Sequence, residues 1–326
     1  MSLIDPYGRR IGYLRLSVTD RCNLRCRYCM PAEGVEKLEH GDILSYEELL
    51  RIAKAAVALG VRKVRVTGGE PLVRKGIVPF LSNLADIPGL KQLVLTTNGL
   101  LLPAMAQDLR TAGVQRLNIS LDSLKPDTFR AITRIGDVRQ VLDGIAAAER
   151  AGFPPPKINM VVMRGVNDDE VIDFARLTLE HPYTVRFIEY MPATREENWQ
   201  SLTLPGEEVL DRIAARFPLD PIEKGALAGP SRDFRIRGAA GAIGVITAIS
   251  GHFCNDCNRI RVTSTGMAKS CLFAHAGLDL KPFMASGDQA VLEAALRRLV
   301  GCKPLGHAMS MERAEHQAFA MAQVGG

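Results

Sequence analysis

Short β-branched or apolar runs alternate along this chain with stretches whose apolar residues recur at helical spacing. The runs predict strands at Gly12–Val18, Lys63–Thr67, Gln92–Thr97, Arg116–Leu121, Ile158–Met163 and Val185–Tyr190. Between the first two, Ser45 and Glu48 form a capping-box pattern. Leu49, Ile52, Ala53, Ala56 and Val57 then trace one helical face, and Gly60 closes it. Further helices are predicted near Pro103–Ala112, Val138–Ala151 and Asp169–Glu180. Strand–helix units in succession imply a parallel sheet. The most economical closure is an α/β fold built as an incomplete (βα)6 TIM-type barrel, with a doubly wound open sheet as the alternative. Beyond about Pro218 the pattern breaks into Gly- and Pro-rich segments and short strands. This predicts a barrel core over residues 1–225 and a smaller C-terminal α+β region over residues 226–326.

If the barrel forms, active residues belong on the loops after its strands. A cysteine cluster follows the first strand and Gly68-Gly69-Glu70-Pro71 the second. Thr96-Thr97-Asn98-Gly99 ends the third, Ser120-Leu121-Asp122 the fourth, and Glu189-Tyr190-Met191-Pro192 the sixth.

With 326 residues, 47% of them hydrophobic, the chain can bury one large domain or two smaller ones. No apolar run reaches the length of a membrane span and no charged-then-apolar leader opens the chain, so a cytoplasmic protein without a membrane partner is expected. Seven cysteines, odd in number and clustered, fit a reducing compartment rather than a disulfide scaffold. The net charge of +5 lacks a long Lys/Arg block, and one Trp with six Tyr makes a poor base-stacking platform. A polyanionic small molecule is therefore favoured over nucleic acid as the partner.

Cys22, Cys26 and Cys29 lie within eight residues. The Cys-x₃-Cys-x₂-Cys spacing lets one loop hold three corners of a cubane iron–sulfur cluster and leaves the fourth iron open. Structural zinc prefers four protein ligands and paired cysteines with a longer spacer. The triplet, with Tyr28 before its last cysteine, resembles the signature of the radical S-adenosylmethionine (SAM) enzymes. That resemblance implies SAM chelated on the open iron and cleaved to a 5′-deoxyadenosyl radical.

A second set consists of Cys254, Cys257 and Cys271. Spacing alone leaves two readings open: a zinc knot completed by His252, His275 or Cys302, or a second three-cysteine cubane. Arg259 and Arg261 alternate on the segment just after Cys257, and forked guanidinium groups on one strand face suit phosphate. Arg15, Lys63 and Arg65 likewise point alternate cations into the expected barrel, where an anion would offset their burial. A substrate site is thus favoured over a structural staple.

The N-terminal triplet, Leu95-Thr96-Thr97-Asn98-Gly99, the run Phe253 to Arg261, Cys271-Leu272-Phe273 and the terminal Gly325-Gly326 together resemble the GTP 3′,8-cyclase family across essentially the whole chain. The resemblance implies two [4Fe–4S] clusters, one on each cysteine set, with SAM as co-substrate. It implies SAM contacts at Tyr28, Gly69, Ser120 and Met191, and GTP contacts at Arg15, Arg65, Thr96, Lys157, Arg259, Ile260 and Arg261. The Gly325-Gly326 tail is expected to reach the active site. GTP would be cyclised between ribose C3′ and guanine C8, with release of methionine and 5′-deoxyadenosine. The family's partners would be an electron donor, a second copy of the chain in a homodimer, and cyclic pyranopterin monophosphate synthase, which takes the product. Two rivals are a peptide-modifying radical SAM enzyme and a zinc-stabilised nucleic-acid binder. The paired arginines beside Cys257 argue against the first, and the charge distribution argues against the second.

Overall fold

The computed structural model describes residues 2–34, 38, 41–192, 198–225, 227–274, 276–285, 287–307, 309–311 and 321. The strand–helix alternation forms as the periodicity predicts. β1 (Tyr13–Ser17), β2 (Lys63–Thr67), β3 (Gln92–Thr97), β4 (Arg116–Ser120), β5 (Lys157–Val162) and β6 (Thr184–Glu189) each fall within a residue of expectation at either end. Between them run α1 (Tyr46–Ala58), α2 (Ile77–Ala85), α3 (Leu102–Thr111), α4 (Pro126–Thr133), α5 (Val138–Arg150) and α6 (Val171–Glu180). α7 (Trp199–Leu202), α8 (Gly206–Ala214), β7 (Leu219–Ile222), β8 (Arg232–Ile236), β9 (Ala242–Ile246), β10 (Arg259–Val262), β11 (Met267–Lys269), β12 (Leu278–Asp279), α9 (Lys281–Met284) and α10 (Gln289–Gly301) follow.

The start of α1 shows why sequence could place it. Ser45 Oγ accepts from Glu48 N at 3.2 Å, and Glu48 Oε2 accepts from Ser45 N at 2.7 Å. Such a cap contributes about 1 kcal/mol. α2 and α4 were not foreseen, and neither has a side-chain cap: Gly76 and Lys125 stand at their N-caps. Without a start signal, short apolar helices of this kind read as loop or strand.

All twelve strands form one sheet, in the order β12-β11-β10-β1-β2-β3-β4-β5-β6-β9-β8-β7. The six core strands are parallel, and the C-terminal region extends them at both edges. β10 joins β1 in parallel, with Arg15 opposite Arg261, and β9 joins β6 in parallel. Antiparallel strands β11–β12 and β8–β7 then cover the two edges of the parallel run. The chain therefore folds as a partial barrel whose C-terminal region shares the core sheet. α10 packs against α1 on the outside.

Alternation along the strands separates two environments. On β5, Ile158, Met160 and Val162 are buried against the helical layer, whereas Lys157, Asn159 and Val161 form the half-buried inward face. β10 divides likewise, with Ile260 and Val262 in the hydrophobic core and Arg259 and Arg261 facing a cavity. The core is thus the shell between sheet and helices, and the lumen is polar.

One close approach fixes how α5 sits on the end of β3. A Cβ at Gly144 would lie 2.3 Å from Gly99 O and 3.3 Å from Leu102 Cβ. Gly99 itself has φ +84°, a left-handed conformation that glycine adopts freely. Gly→Ala inside a helix ordinarily stabilises by about 0.5–1 kcal/mol, whereas overpacking costs about 1–3 kcal/mol. We expect overpacking to win, so Gly144→Ala should lower the melting temperature; a raised one would mean that α5 shifts freely.

Candidate active site

The loop after β1 carries Cys22, Cys26 and Cys29 into a cavity at the C-terminal end of the barrel strands. Tyr28, Gly69, Ser120, Asp122, Met191 and Met321 are among its other lining residues. The loop is held largely by its own backbone. Cys29 N and Met30 N both donate to Cys26 O, at 2.9 and 3.2 Å. Arg25 Nη1 binds Cys22 O at 2.7 Å, and Arg134 Nη1 binds Arg25 O and Met30 O at 2.7 and 2.9 Å. Arg25 and Arg134 thus serve loop carbonyls. Tyr28 Oη donates to Asp122 Oδ2 at 2.7 Å, fastening the cysteine loop to the end of β4.

Gly68 and Gly69 bring the end of β2 hard against the entry to that loop. A Cβ on Gly68 would lie 2.6 Å from Thr19 O, and one on Gly69 would lie 2.4 Å from Arg21 O. Their small size is thus required by neighbouring backbone, a reason beyond the ligand approach that the sequence suggests. Glu70 then accepts from Thr97 Oγ1 at 2.8 Å, Asn98 N at 2.7 Å and Leu72 N at 3.0 Å. It joins the two glycine-containing motifs. Burial outweighs these hydrogen bonds and pushes its carboxyl up to about 7.

Chemically, the donor set fits a cluster. The described cysteines are free thiols, and three of them converge on one cavity that no other described cysteine or histidine lines. Burial pushes the Cys22 thiol up to about 11 and holds Cys26 and Cys29 high as well. Thiolates there need a metal to displace their protons.

A second cavity is lined by Cys254, Cys257 and Cys271 with Arg15, Arg65, Arg186, Arg259 and Arg261. Arg259 Cζ stacks 4.7 Å from the Phe253 ring centroid, and its Nη2 lies 3.6 Å from Cys257 Sγ. Burial pushes the Cys257 thiol up, but Arg259 and Lys303 more than reverse this and bring it to about 6. Tyr13 packs beneath two cations, with Lys63 Nζ 4.8 Å and Arg65 Cζ 5.4 Å from its ring centroid. With the Asn118 amide oxygen turned toward Arg65, it accepts from Nη2 at 3.1 Å and Nε at 3.3 Å. Arg186 Nε, Arg261 Nη1 and Asn159 Oδ1 are buried without a partner among the described residues. Aimed into a cavity, such atoms suit a polar, anionic ligand. Both cavities share Asn159, Ile188 and Met191, so they meet at one wall.

Most of the residues expected from sequence converge on these cavities. Tyr28, Gly69, Ser120 and Thr96 line the first, Arg15, Arg65, Arg259 and Arg261 the second, and Met191 both. Lys157 lies on the same face of β5 as Asn159, near Arg186, Asp233 and Arg65. Ile260 is different: its side chain is wholly buried in the outer core, so only its backbone is available to a ligand. Gly325 and Gly326 lie outside the described residues, but Met321 packs against Cys29, Met191 and Leu272. Sequence reasoning missed Arg186, although a lone charge inside the Val185–Phe187 strand run was a usable signal. It also missed the pairing of His252 with His307, whose ring nitrogens lie with Cys254 Sγ within 4.8 Å of one another. Cys302, one of the candidate zinc ligands, is exposed beyond α10.

A partial parallel barrel with a three-cysteine loop after its first strand defines a radical SAM enzyme, and residues 16–178 match the Radical SAM superfamily. Residues 183–309 match the family described as Molybdenum Cofactor Synthesis C. The chain is 76% identical over 326 residues to the GTP 3′,8-cyclase of Geobacter sulfurreducens, covering 100% of both. It is 47% identical over 323 residues to that of Moorella thermoacetica, covering 99% of each. Hence it belongs to the GTP 3′,8-cyclase family, radical SAM enzymes of molybdenum cofactor synthesis. Among solved structures, SuiB of Streptococcus suis bound to S-adenosylmethionine shares the fold, with TM-score 0.62 and 14% identity over 92% of this chain and 66% of that one. No helix among the described residues is long and apolar enough to cross a membrane.

Crowded cations give the lumen a measurable pH signature. Burial, then Arg65 and other cations, depresses Lys63 to about 7, and burial with Arg186 depresses Lys157 to about 8. Both titrate near 10.5 when unfolded. Between these limits the unfolded chain holds more protons, so stability of the nucleotide-free protein should rise with pH from about 7. The urea midpoint should therefore increase from pH 7 to pH 9, with a smaller increase in Lys63→Met. A midpoint that is flat or falls in the parent protein would contradict the burial of these lysines as ammonium ions.

Proposed function

We propose that the first cavity binds SAM beside a [4Fe–4S] cluster on Cys22, Cys26 and Cys29, and that the second binds GTP beside a further [4Fe–4S] cluster on Cys254, Cys257 and Cys271. The observation that carries this is the contact of two three-cysteine cavities at the shared wall of Asn159, Ile188 and Met191. Held by Cys22, Cys26 and Cys29 and reduced, the first cluster would supply the electron for cleavage of SAM to the 5′-deoxyadenosyl radical. The chain's own residues then bind, orient and shield. Tyr28, Gly69, Ser120 and Met191 surround SAM. Arg15, Arg65, Lys157, Arg259 and Arg261, joined by Arg186, neutralise the triphosphate, and the Ile260 backbone and Thr96, the latter reaching in from the first cavity's lining, complete the GTP contacts. Guanidinium forks suit phosphate oxygens, and a low-dielectric lumen strengthens each contact. Ligands bound in two cavities that share a wall would lie side by side, which suits hydrogen transfer between them, a step for which small errors of position are costly.

On this reading, residues 1–225 form the radical SAM core and residues 226–326 carry the auxiliary cluster, Arg259, Arg261 and the Gly325-Gly326 tail. Reductive cleavage needs an electron donor. Transfer of the product to cyclic pyranopterin monophosphate synthase, a homodimeric assembly and a cytoplasmic setting rest on the family resemblance. A second reading puts zinc on His252, Cys254 and His307, favoured by the closeness of their ligand atoms. Metal analysis separates the two. Anaerobically reconstituted protein should carry about eight irons per chain if both sets hold cubanes, and stoichiometric zinc with about four irons would establish the second reading instead. Cys26→Ala should abolish SAM cleavage, whereas Cys257→Ala should retain uncoupled cleavage and lose cyclisation. Normal cyclisation by Cys257→Ala would refute this division, and the same assay on a chain lacking Gly325 and Gly326 tests the tail, whose loss should remove product but not GTP binding.

The arginine pair offers a separate check. Arg261→Ala should weaken GTP binding by about 1.5–3 kcal/mol, the range for hydrogen bonds to charged groups. Guanosine, which lacks phosphates, should lose much less. Equal losses for the two ligands would assign Arg261 to the fold.

A further inference from the structure

The segment that follows α10 is tied to every cysteine-bearing stretch of the second cavity. Lys303 is 3% exposed. Its Nζ lies 3.4 Å from Cys257 Sγ and donates to Arg259 O at 3.0 Å and to Ser270 O at 2.5 Å. An ammonium has three donors, and these three acceptors use them all. One acceptor is a cysteine of the second set, another lies on β10 just beyond it, and Ser270 immediately precedes Cys271. A second cation clasps the remaining cysteine from the other end of the chain. Arg9 Nη1 donates to Cys254 O at 2.7 Å and Leu305 O at 2.8 Å, while its Nη2 reaches Pro304 O and its Nε pairs with Asp5.

Arg9 has a carboxylate partner and Lys303 does not: among the described residues it forms no ion pair with Asp or Glu. An ammonium buried beside two neutral carbonyls is costly unless a negative charge faces it. The partner that can carry that charge is the Cys257 sulfur, as a thiolate ligand. We propose that Lys303 is a positioning residue for the auxiliary cluster, holding Cys257 and Cys271 at cluster spacing and setting the cluster's reduction potential through its charge and an N–H···S hydrogen bond. The inference rests on the second-cluster reading above. Net charge and hydrogen bonds to sulfur are among the determinants of iron–sulfur potentials, and outer partners of metal ligands orient them. Removing a positive charge from beside the cluster should make its reduced form harder to reach.

The test compares the reconstituted holoenzyme with Lys303→Met and Lys303→Arg. Iron content, melting temperature and an EPR-monitored redox titration that resolves the two clusters are measured on each. Lys303→Met should shift the second cluster to a more negative potential and leave the first unchanged, with Lys303→Arg closer to the parent. Selective loss of second-cluster iron in Lys303→Met, rescued in Lys303→Arg, would equally support the proposal. Unchanged potentials with full iron would overturn it, as would equal shifts at both clusters or loss of fold in both variants. A parent protein without the second cluster would sink the cluster reading and this inference together, an outcome distinct from an unresponsive Lys303.

Discussion

Buried like charge is the constraint on which this barrel depends. Lys63, Arg65, Arg186, Arg259 and Arg261 are each nine-tenths or more buried, and Arg15 and Lys157 share the same interior. Two like charges about 4 Å apart at an effective dielectric constant of about 20 repel by roughly 4 kcal/mol. The protein relieves part of this locally. Tyr13 offers its ring to two of the cations, and Asp233 faces Lys157 and Arg186. Burial and mutual repulsion still depress the interior cations, with Arg186 and Arg261 brought down to about 10. Apolar residues of similar volume would make a more stable lumen. Keeping cations there makes sense for a family that acts on a nucleoside triphosphate.

The acids are spent elsewhere, and their placement explains why the lumen stays positive. Glu70, Asp122 and Glu189 are buried at or just past strand ends and Glu170 at the start of α6, and each accepts at least one backbone N–H. Glu189 receives Gly206 N, Ile249 N and Ser250 N, so the end of β6 is fastened to the stretch leading toward Cys254. Asp122 similarly couples Tyr28 of the cysteine loop to Val161 of β5. A carboxylate satisfied by amides is a strong staple, and it adds little field to the lumen's far end. Charge is thereby sorted along the barrel axis, with acids tying loops at the mouth and cations lining the interior.

This sorting also divides what could be read from sequence from what could not. Strands β1 to β6 were legible because one face of each packs on helices and the other alternates inward, a local and periodic signal. The cysteine sets were legible by spacing, and Arg259 and Arg261 by alternation on a short strand. Ile260 was named through family resemblance alone; alternation sends its side chain to the core, so any contact it makes in the lumen is through its backbone. The placement of β9 and β10 on opposite sides of the six-stranded core was beyond reach, since only long-range pairing decides it. Arg9 and Lys303 were likewise silent, because their bonds to the second cysteine set reach Cys254 O, Cys257 Sγ and Ser270 O across long stretches of sequence.

Segments near both ends of the chain reach the two cysteine sets, and this has a chemical rationale. Met321, from the last stretch of the chain, packs on Cys29 of the first set, on Leu272 beside the second, and on Met191 of the shared wall. Arg9 and Lys303 draw the N-terminus and the segment after α10 onto the second cysteine set. A carbon radical must meet its substrate before it meets water or another hydrogen donor, so the seam between cavities has to be dry and closely set. Barrel strands alone leave that seam bounded by loops. Closing it with a late segment such as the one bearing Met321 leaves the strand-end mouth unchanged, while β10 adds Arg259 and Arg261 to cations that the core strands already carry inward.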